Sequence, residues 1–385
     1  MSNHLRSGSR IMTIAADGQP RSPGRTEAAV KSLSPAYFPF VMATSIISTG
    51  TFLLGPSWLS RALLVIASAA FVVVVVALVI RLVLFRASVA ADFRHPEQVF
   101  VFFAIPAGMN VLGVRLATAG HPLVTGILAA AAAAVWLIMT YGIPARLLLA
   151  RSHDSAVSDV NGTWLLWVVA TMSLSLVAST LARVWPSQSG WLAPFAVGLW
   201  GIGMVLYLLL VSLVLLHWLT VPMTPQTLTP PYWILMGATG IIVLAGARIL
   251  ALPAALAAVR AAAGFVEGFS FTLWAFGTWW IPLLVVLGYW RHVRSHWPLS
   301  YDPALWSVVF PLGMYSVATL TFGKVTHLAF MEPLSRFMLW VAVAAWVAVA
   351  AAFAVRIRGA SGFSFSRNRH GMTGRVEQRQ PAGES

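Results

Sequence analysis

Ten apolar stretches, each long enough to cross a lipid bilayer, constrain this chain more than any other feature. The sequence has 59% hydrophobic and only 9% charged residues, whereas about 25% are charged in an ordinary soluble domain. This composition excludes a water-soluble fold. We therefore predict an all-α integral membrane protein with ten transmembrane helices, at roughly 36–54, 62–84, 98–118, 122–145, 161–182, 191–216, 231–250, 266–289, 303–323 and 335–355.

The net charge of +14 is concentrated between and beyond the apolar stretches. When the predicted spans cross the membrane in turn, most of the 25 Lys and Arg residues fall on the same side, mainly in the loops 85–97, 146–160 and 290–302 and in both tails. The positive-inside rule places this basic side in the cytoplasm. We thus predict both termini to be cytoplasmic, in the plasma or inner membrane, and we interpret the charge as a topology signal with no nucleic-acid partner.

The two ends of the chain differ from the middle in composition. Residues 1–33 are rich in Ser, Gly, Arg and Pro and lack the apolar core of a secretory signal peptide, and 357–385 are similar. Both are predicted to be disordered, basic and cytoplasmic. The chain is therefore divided into an arm at 1–33, a transmembrane transporter or channel domain at 34–356, and a tail at 357–385.

Small and polar residues are enriched in the odd-numbered spans. Each odd span has a central cluster of them, and the cluster centres at Thr44, Gly108, Met172, Ala238 and Gly313 are 64, 64, 66 and 75 residues apart. This interval is the length of a helical hairpin, which predicts five parallel hairpin repeats. Five odd helices would form an inner ring around a pore, and five even helices would form an outer ring facing lipid.

The inner ring predicts which residues line the pore. Gly, Ser and Thr leave room at an axis, and proline is tolerated at membrane depth against protein or a water-filled cavity. An alternative is that these small residues only allow close helix packing. The predicted lining residues are Thr44, Ser45, Ser48, Pro106, Gly108, Asn110, Thr171, Ser173, Gly237, Thr239, Gly240, Pro311, Gly313 and Ser316.

The charges of the odd spans favour an anion as the solute. The span interiors contain no Asp or Glu, which cation sites and proton relays usually need. Arg115, Arg183, Arg248 and Lys324 fall at the predicted outer ends of four odd spans, where a basic ring would concentrate anions. These four residues could instead be anchors that fix the helix ends at the interface.

Catalytic chemistry has little support in the sequence. There is no Cys, which excludes thiolate chemistry, and no phosphate-binding glycine motif is present. His292 and His296 are four residues apart but lack a nearby third metal ligand. We predict no cofactor, no metal and no enzyme activity.

Four motifs resemble those of the tellurite-resistance/dicarboxylate transporter family, which includes TehA-like proteins, fungal malate transporters and plant slow anion channels. They are PFVMAT at 39–44, FAIPAG at 103–108, FGTWWIP at 276–282 and FPLGMY at 310–315. The resemblance implies a homotrimer with a separate pore in each subunit. It also implies an aromatic gate in the ninth span, which would be Phe310 here. The short tails have no evident counterpart of the plant regulatory arms, so kinase control is not expected.

Together these observations predict transport of a small anion: a four-carbon dicarboxylate such as malate, or chloride, nitrate or a tellurite-type oxyanion. One alternative is a proton-coupled exporter of an organic or sulfur oxyanion. Less favoured alternatives are an enzyme acting on a lipid or quinone, and a structural scaffold. Isolated His217 and His327 do not supply the convergent groups that an enzyme needs.

Overall fold

The computed structural model describes residues 35–93, 95–149 and 159–369 of the chain. Within these ranges the regular structure is entirely helical, and ten helices are long and apolar enough to cross a membrane. The predicted all-α fold with ten transmembrane helices is therefore confirmed. The predicted arm at 1–33 lies outside the described residues, as does the tail beyond residue 369.

The ten long helices are named α1 to α10 in chain order. Most of the even helices extend beyond the predicted spans, and α10 continues past the predicted boundary at 356. The helices are α1 (Phe38–Leu54), α2 (Ser57–Leu84), α3 (Ala104–Thr118), α4 (Pro122–Leu149), α5 (Leu166–Val184), α6 (Ser189–Thr220), α7 (Ile234–Leu250), α8 (Ala257–Tyr289), α9 (Trp306–Val325) and α10 (Met331–Arg369).

Every odd-numbered helix is preceded by a short 3-10 turn that runs directly into it. These turns are Pro35–Tyr37, Phe100–Phe103, Gly162–Leu165, Pro230–Trp233 and Pro303–Leu305. A 3-10 turn satisfies part of the backbone hydrogen bonding that a helix start leaves open. The same local start recurs in all five hairpins.

The helices form two classes by burial. In the most apolar 18-residue stretch of each odd helix, 72–94% of the residues are buried within the protein. In the corresponding stretches of the even helices, 17–44% of the residues are buried. The odd helices are therefore interior, and the even helices carry the exposed apolar surface.

The contacts between the odd helices close on themselves. Helix α1 contacts α3, α3 contacts α5, α5 contacts α7, α7 contacts α9, and α9 contacts α1 again. Each odd helix also packs against the even helix that follows it in the chain. The sequence of neighbouring helices is therefore a closed cycle of five hairpins.

Tryptophan side chains of the even helices hydrogen-bond to the odd helix of the next hairpin. The indole N–H groups of Trp136 on α4, Trp274 on α8 and Trp346 on α10 donate to hydroxyl oxygens on α5, α9 and α1 at 2.9–3.0 Å. Trp200 on α6 donates to the Ile242 carbonyl oxygen on α7 at 3.0 Å. These hydrogen bonds join the second hairpin to the third, the third to the fourth, the fourth to the fifth, and the fifth to the first.

Hydroxyl groups join the two helices within a hairpin. Ser48 on α1 and Ser60 on α2 donate to each other's carbonyl oxygens at 2.7 and 2.8 Å. Ser316 on α9 and Ser335 on α10 form the same reciprocal pair at 2.8 Å in both directions. Thr125 on α4 donates to a carbonyl oxygen of α3. These bonds satisfy hydroxyls that hydrocarbon would leave without partners.

We expect Trp346→Phe to lower the free energy of unfolding by about 0.5–1.5 kcal/mol, because it removes a partly buried hydrogen bond while keeping an aromatic side chain. The measurement is thermal unfolding of the detergent-solubilised protein. Trp340→Phe is the matched control, since Trp340 lies on the same helix but is half exposed. Equal stability of the two variants would contradict a structural role for the bond from Trp346 to Thr44.

Candidate functional site

The predicted pore-lining residues all lie in the odd helices α1, α3, α5, α7 and α9, and all are buried. Several of their hydroxyl groups are directed at neighbouring helices. The hydroxyl oxygens of Thr44 and Thr171 accept the indole N–H groups of Trp346 and Trp136. Ser48 and Ser316 are occupied by the reciprocal bonds within their hairpins. Thr239 donates to the Met236 carbonyl oxygen of its own helix at 2.7 Å.

The predicted glycines lie where neighbouring odd helices approach closely. A Cβ on Gly108 would be 3.1 Å from Phe38 on α1, and one on Gly313 would be 2.9 Å from Ile46. A Cβ on Gly240 of α7 would be 3.1 Å from Met314 of α9. Such distances leave little or no room for a side chain. These glycines allow close helix packing, which is the alternative that the sequence left open.

Two of the predicted lining residues keep polar atoms without a partner among the described residues. The hydroxyl oxygen of Ser45 on α1 and the Oδ1 atom of Asn110 on α3 are buried without a hydrogen bond. The Nδ2 group of Asn110 donates to the Ser173 hydroxyl on α5 at 2.9 Å, and that hydroxyl donates to the Ala170 carbonyl oxygen. Because an unsatisfied buried polar atom is costly, these atoms are candidates for contact with water or a solute.

The prolines of the odd helices differ in their place along the helix. Pro39 and Pro106 lie in the first turn of α1 and α3, where proline is tolerated, whereas Pro311 lies inside α9. The Pro311 ring packs on Gly237 of α7, where a Cβ would be 2.8 Å from Pro311 Cγ. The residue before it, Phe310, is fully buried. The predicted gate residue therefore directly precedes a proline that packs against α7.

The four basic residues predicted at the outer mouth have different surroundings. Arg183 and Lys324 are exposed, and Arg248 is partly exposed with its Nε atom unpartnered among the described residues. Within the described residues, no carboxylate forms an ion pair with any of the four.

Arg115 is the exception among these four, because its side chain is buried within the first two hairpins. Its guanidinium donates to the hydroxyls of Ser48, Ser60 and Thr118 at 3.1, 2.9 and 3.0 Å. The same group lies 4.6 Å from the centroid of the Phe52 ring. Arg115 thus joins three helices instead of projecting freely into solvent.

Sequence reasoning did not identify the bonding tryptophans or Ser60. A signal was present, because Trp136, Trp274 and Trp346 fall near the middle of their spans and not at the membrane interface. An indole N–H at that depth needs an acceptor, and a threonine on a neighbouring helix can provide it.

The fold and these buried helices define a multi-pass membrane protein of the transporter or channel type. The model of the SLAC1 voltage-dependent anion channel family matches residues 32–354, most of the chain. The protein therefore belongs to the SLAC1 family of anion channels and transporters, and not to an enzyme family.

Relatives of the protein are named as membrane proteins and transporters. An uncharacterized membrane protein of Mycobacterium tuberculosis is 45% identical over 161 residues, which are 42% of this chain and 81% of the relative. An uncharacterized transporter of Methanocaldococcus jannaschii is 23% identical over 329 residues, which are 82% of this chain and 91% of the relative. A second transporter of the same organism is 22% identical over 275 residues, covering 70% of this chain and 77% of the relative.

We expect Arg115→Ala to destabilise the protein by about 2–3 kcal/mol, because it removes three hydrogen bonds from a charged group. Arg183→Ala is the matched control. Arg183 is exposed at the corresponding end of α5, and its removal is expected to change stability by less than about 0.5 kcal/mol. Both values are measured by thermal unfolding in detergent. Equal losses in the two variants would mean that the Arg115 contacts contribute nothing beyond an ordinary surface arginine.

Proposed function

We propose that this protein moves small anions across the plasma or inner membrane through a passage enclosed by α1, α3, α5, α7 and α9 of each subunit. The observation that carries this proposal is the closed contact cycle of five buried helices that contain no Asp or Glu. Such a wall offers hydroxyl, amide and backbone groups but no fixed negative charge. It is therefore suited to an anion and unsuited to a cation.

Ser45 and Asn110 are the proposed polar contacts of the passing anion. In this proposal the Ser45 hydroxyl donates to the anion. Asn110 would turn its amide so that Nδ2 can leave Ser173. The Ser45 hydroxyl is buried without a hydrogen-bond partner among the described residues, which supports this assignment for Ser45. Thr44, Thr171, Ser48 and Ser316 would then act mainly by holding the wall together through their bonds to other helices.

Phe310 is the proposed gate. Its burial beside Pro311 supports this role, because the proline removes one backbone hydrogen bond and lets α9 deform locally. A fully buried aromatic ring on the wall of a passage would block it until the ring rotates. In this proposal the closed passage opens when the Phe310 side chain changes rotamer.

Arg183, Arg248 and Lys324 are the proposed basic rim of the external mouth. Their lack of carboxylate partners among the described residues supports the proposal, since their charge remains available to a solute. Arg115 is assigned to joining the first two hairpins. With this orientation both termini are cytoplasmic, and we propose a homotrimer as the assembled form.

The substrate is proposed to be a four-carbon dicarboxylate such as malate, or a smaller anion such as chloride, nitrate or tellurite. The test is flux through proteoliposomes across chloride, nitrate, malate, succinate, sulfite and tellurite, with a potassium gradient as the cation control. Anion flux that persists with an uncoupler supports passive conduction. Flux abolished by the uncoupler would replace this proposal with a proton-coupled exporter, and cation-selective flux would refute it.

We expect Phe310→Ala to increase anion flux severalfold, because it removes the ring that closes the passage. Phe322→Ala is the matched control: Phe322 is also fully buried on α9 but lies near its opposite end. The control is expected to lose stability without gaining flux. Unchanged flux in Phe310→Ala would show that the ring is ordinary packing beside a kinked helix.

We expect the double variant Arg248→Gln with Lys324→Gln to reduce anion flux more at low salt than at high salt. The reason is that the Debye length falls from about 30 Å at 0.01 M to about 3 Å at 1 M, which screens the attraction of the rim. Arg260→Gln is the control, because Arg260 is exposed near the same end of the protein but on even helix α8. A reduction independent of salt would favour an anchoring role for Arg248 and Lys324.

A further inference from the structure

A cavity of about 200 Å³ lies between the end of α8 and the starts of α7 and α9. Most of its wall is apolar or aromatic, and many of the wall residues are partly exposed, so the cavity opens at the surface. The lining residues are Leu228, Thr229, Pro230, Tyr232, Trp233, Leu284, Leu287, Gly288, Arg291, His292, Leu305 and Val308.

One face of α8 and of the turn that follows it forms the long side of this cavity. Leu284, Leu287, Gly288 and Arg291 are spaced by three and four residues, so they lie one above another along the helix. A Cβ on Gly288 would meet no atom within 4 Å. Gly288 therefore leaves open space in the middle of the face, between leucines at one end and a guanidinium at the other.

Arg291 provides a positive charge with unused hydrogen-bonding capacity at the polar end of the cavity. Its buried Nε atom has no hydrogen-bond partner among the described residues. The Asp302 carboxylate, in the connection before α9, already accepts the Ala304 backbone N–H at 2.7 Å. No ion pair joins Arg291 to a carboxylate within the part of the chain that the structure describes.

The segment that carries Arg291 is held in an irregular conformation. Helix α8 ends in a π-helical turn, Trp290–Arg294, and the Trp297 backbone N–H donates to the Arg291 carbonyl oxygen at 3.1 Å. The Trp297 carbonyl oxygen is 3.1 Å from His292 Nδ1. The centroid of the Trp297 ring lies 5.8 Å from the Arg291 guanidinium carbon. His296 has a φ of +52°, which is uncommon for a residue with a side chain. The turn thus fixes Arg291 at the cavity instead of leaving it on a flexible loop.

We propose that this cavity binds an anionic phospholipid, with the phosphate on Arg291 and one acyl chain along Leu284, Leu287 and Gly288. The site pairs a narrow apolar slot with a single fixed cation, which matches a charged headgroup attached to a hydrocarbon chain. In the proposed orientation it lies in the cytoplasmic leaflet, where negatively charged lipids are attracted to basic groups. Because α8 is largely exposed, a lipid can enter from the side.

Charge and shape together distinguish this occupant from two others. A free phosphate would use the guanidinium but leave the apolar slot empty, and a neutral lipid would fill the slot without needing the charge.

Val308, which lines the cavity, is on α9 two residues before Phe310. Occupancy would therefore touch the helix that carries the proposed gate.

The test is native mass spectrometry of the full-length protein in detergent, titrated with phosphatidylglycerol and, separately, with phosphatidylcholine of the same chain length. We expect tighter binding of phosphatidylglycerol. Arg291→Gln is expected to weaken that binding at least about tenfold, because a charge-assisted contact to phosphate is lost. Gly288→Leu is expected to weaken binding of both lipids, because its side chain occupies the slot.

Matched controls separate this site from general charge and folding effects. Arg294→Gln changes an exposed arginine of the same turn that does not line the cavity, and Gly142→Leu adds a side chain to open space on α4. Both are expected to bind phosphatidylglycerol like the wild type.

Four outcomes would overturn the proposal. These are wild-type affinity in both cavity variants, equal binding of the two lipids by the wild type, equal weakening in the control variants, and displacement of the lipid by inorganic phosphate at similar concentration. Lipid binding is measured without any flux, so failure of anion transport would leave this result interpretable on its own.

Discussion

The requirement that polar groups in a bilayer find partners within the protein controls the arrangement of this molecule. The odd helices are rich in hydroxyl residues, most of which bond either to another helix or to a carbonyl oxygen of their own helix. Tryptophans of the even helices bond to Thr44, Thr171 and Thr319, while serine pairs close the first and last hairpins. The two classes of helix therefore depend on each other: the inner ones need the hydrogen bonds, and the outer ones provide them together with the apolar surface.

The sequence predicted the number of helices and their two classes well, because both follow from hydrophobic length and from the enrichment of small residues. It could not predict the direction of individual side chains within the interior. A helix that is buried on all sides has no polar face to orient it, so Thr44 and Thr171 were assigned to a lining although their hydroxyls contact even helices. The contacts of Arg115 were equally hidden, because they depend on Ser60 of another helix.

The electrostatic character of the interior is consistent with membership in an anion channel family. The buried odd helices have no carboxylate, and their basic residues lie in or near the last turn of four of them. A positive side chain near a helix C-terminus is favoured by the helix dipole, so this placement is also locally stable. A single feature can thus serve both helix stability and the proposed attraction of a solute.

The bond from Trp346 to Thr44 has a consequence for the order of the chain. It joins the tenth helix to the first in the same way that Trp136 and Trp274 join helices adjacent in sequence. No peptide bond connects α10 to α1, but the non-covalent contacts between the last hairpin and the first are like those between hairpins that follow each other in the chain. A circularly permuted protein, with its old ends linked and new ends opened between two other hairpins, would keep every one of these contacts.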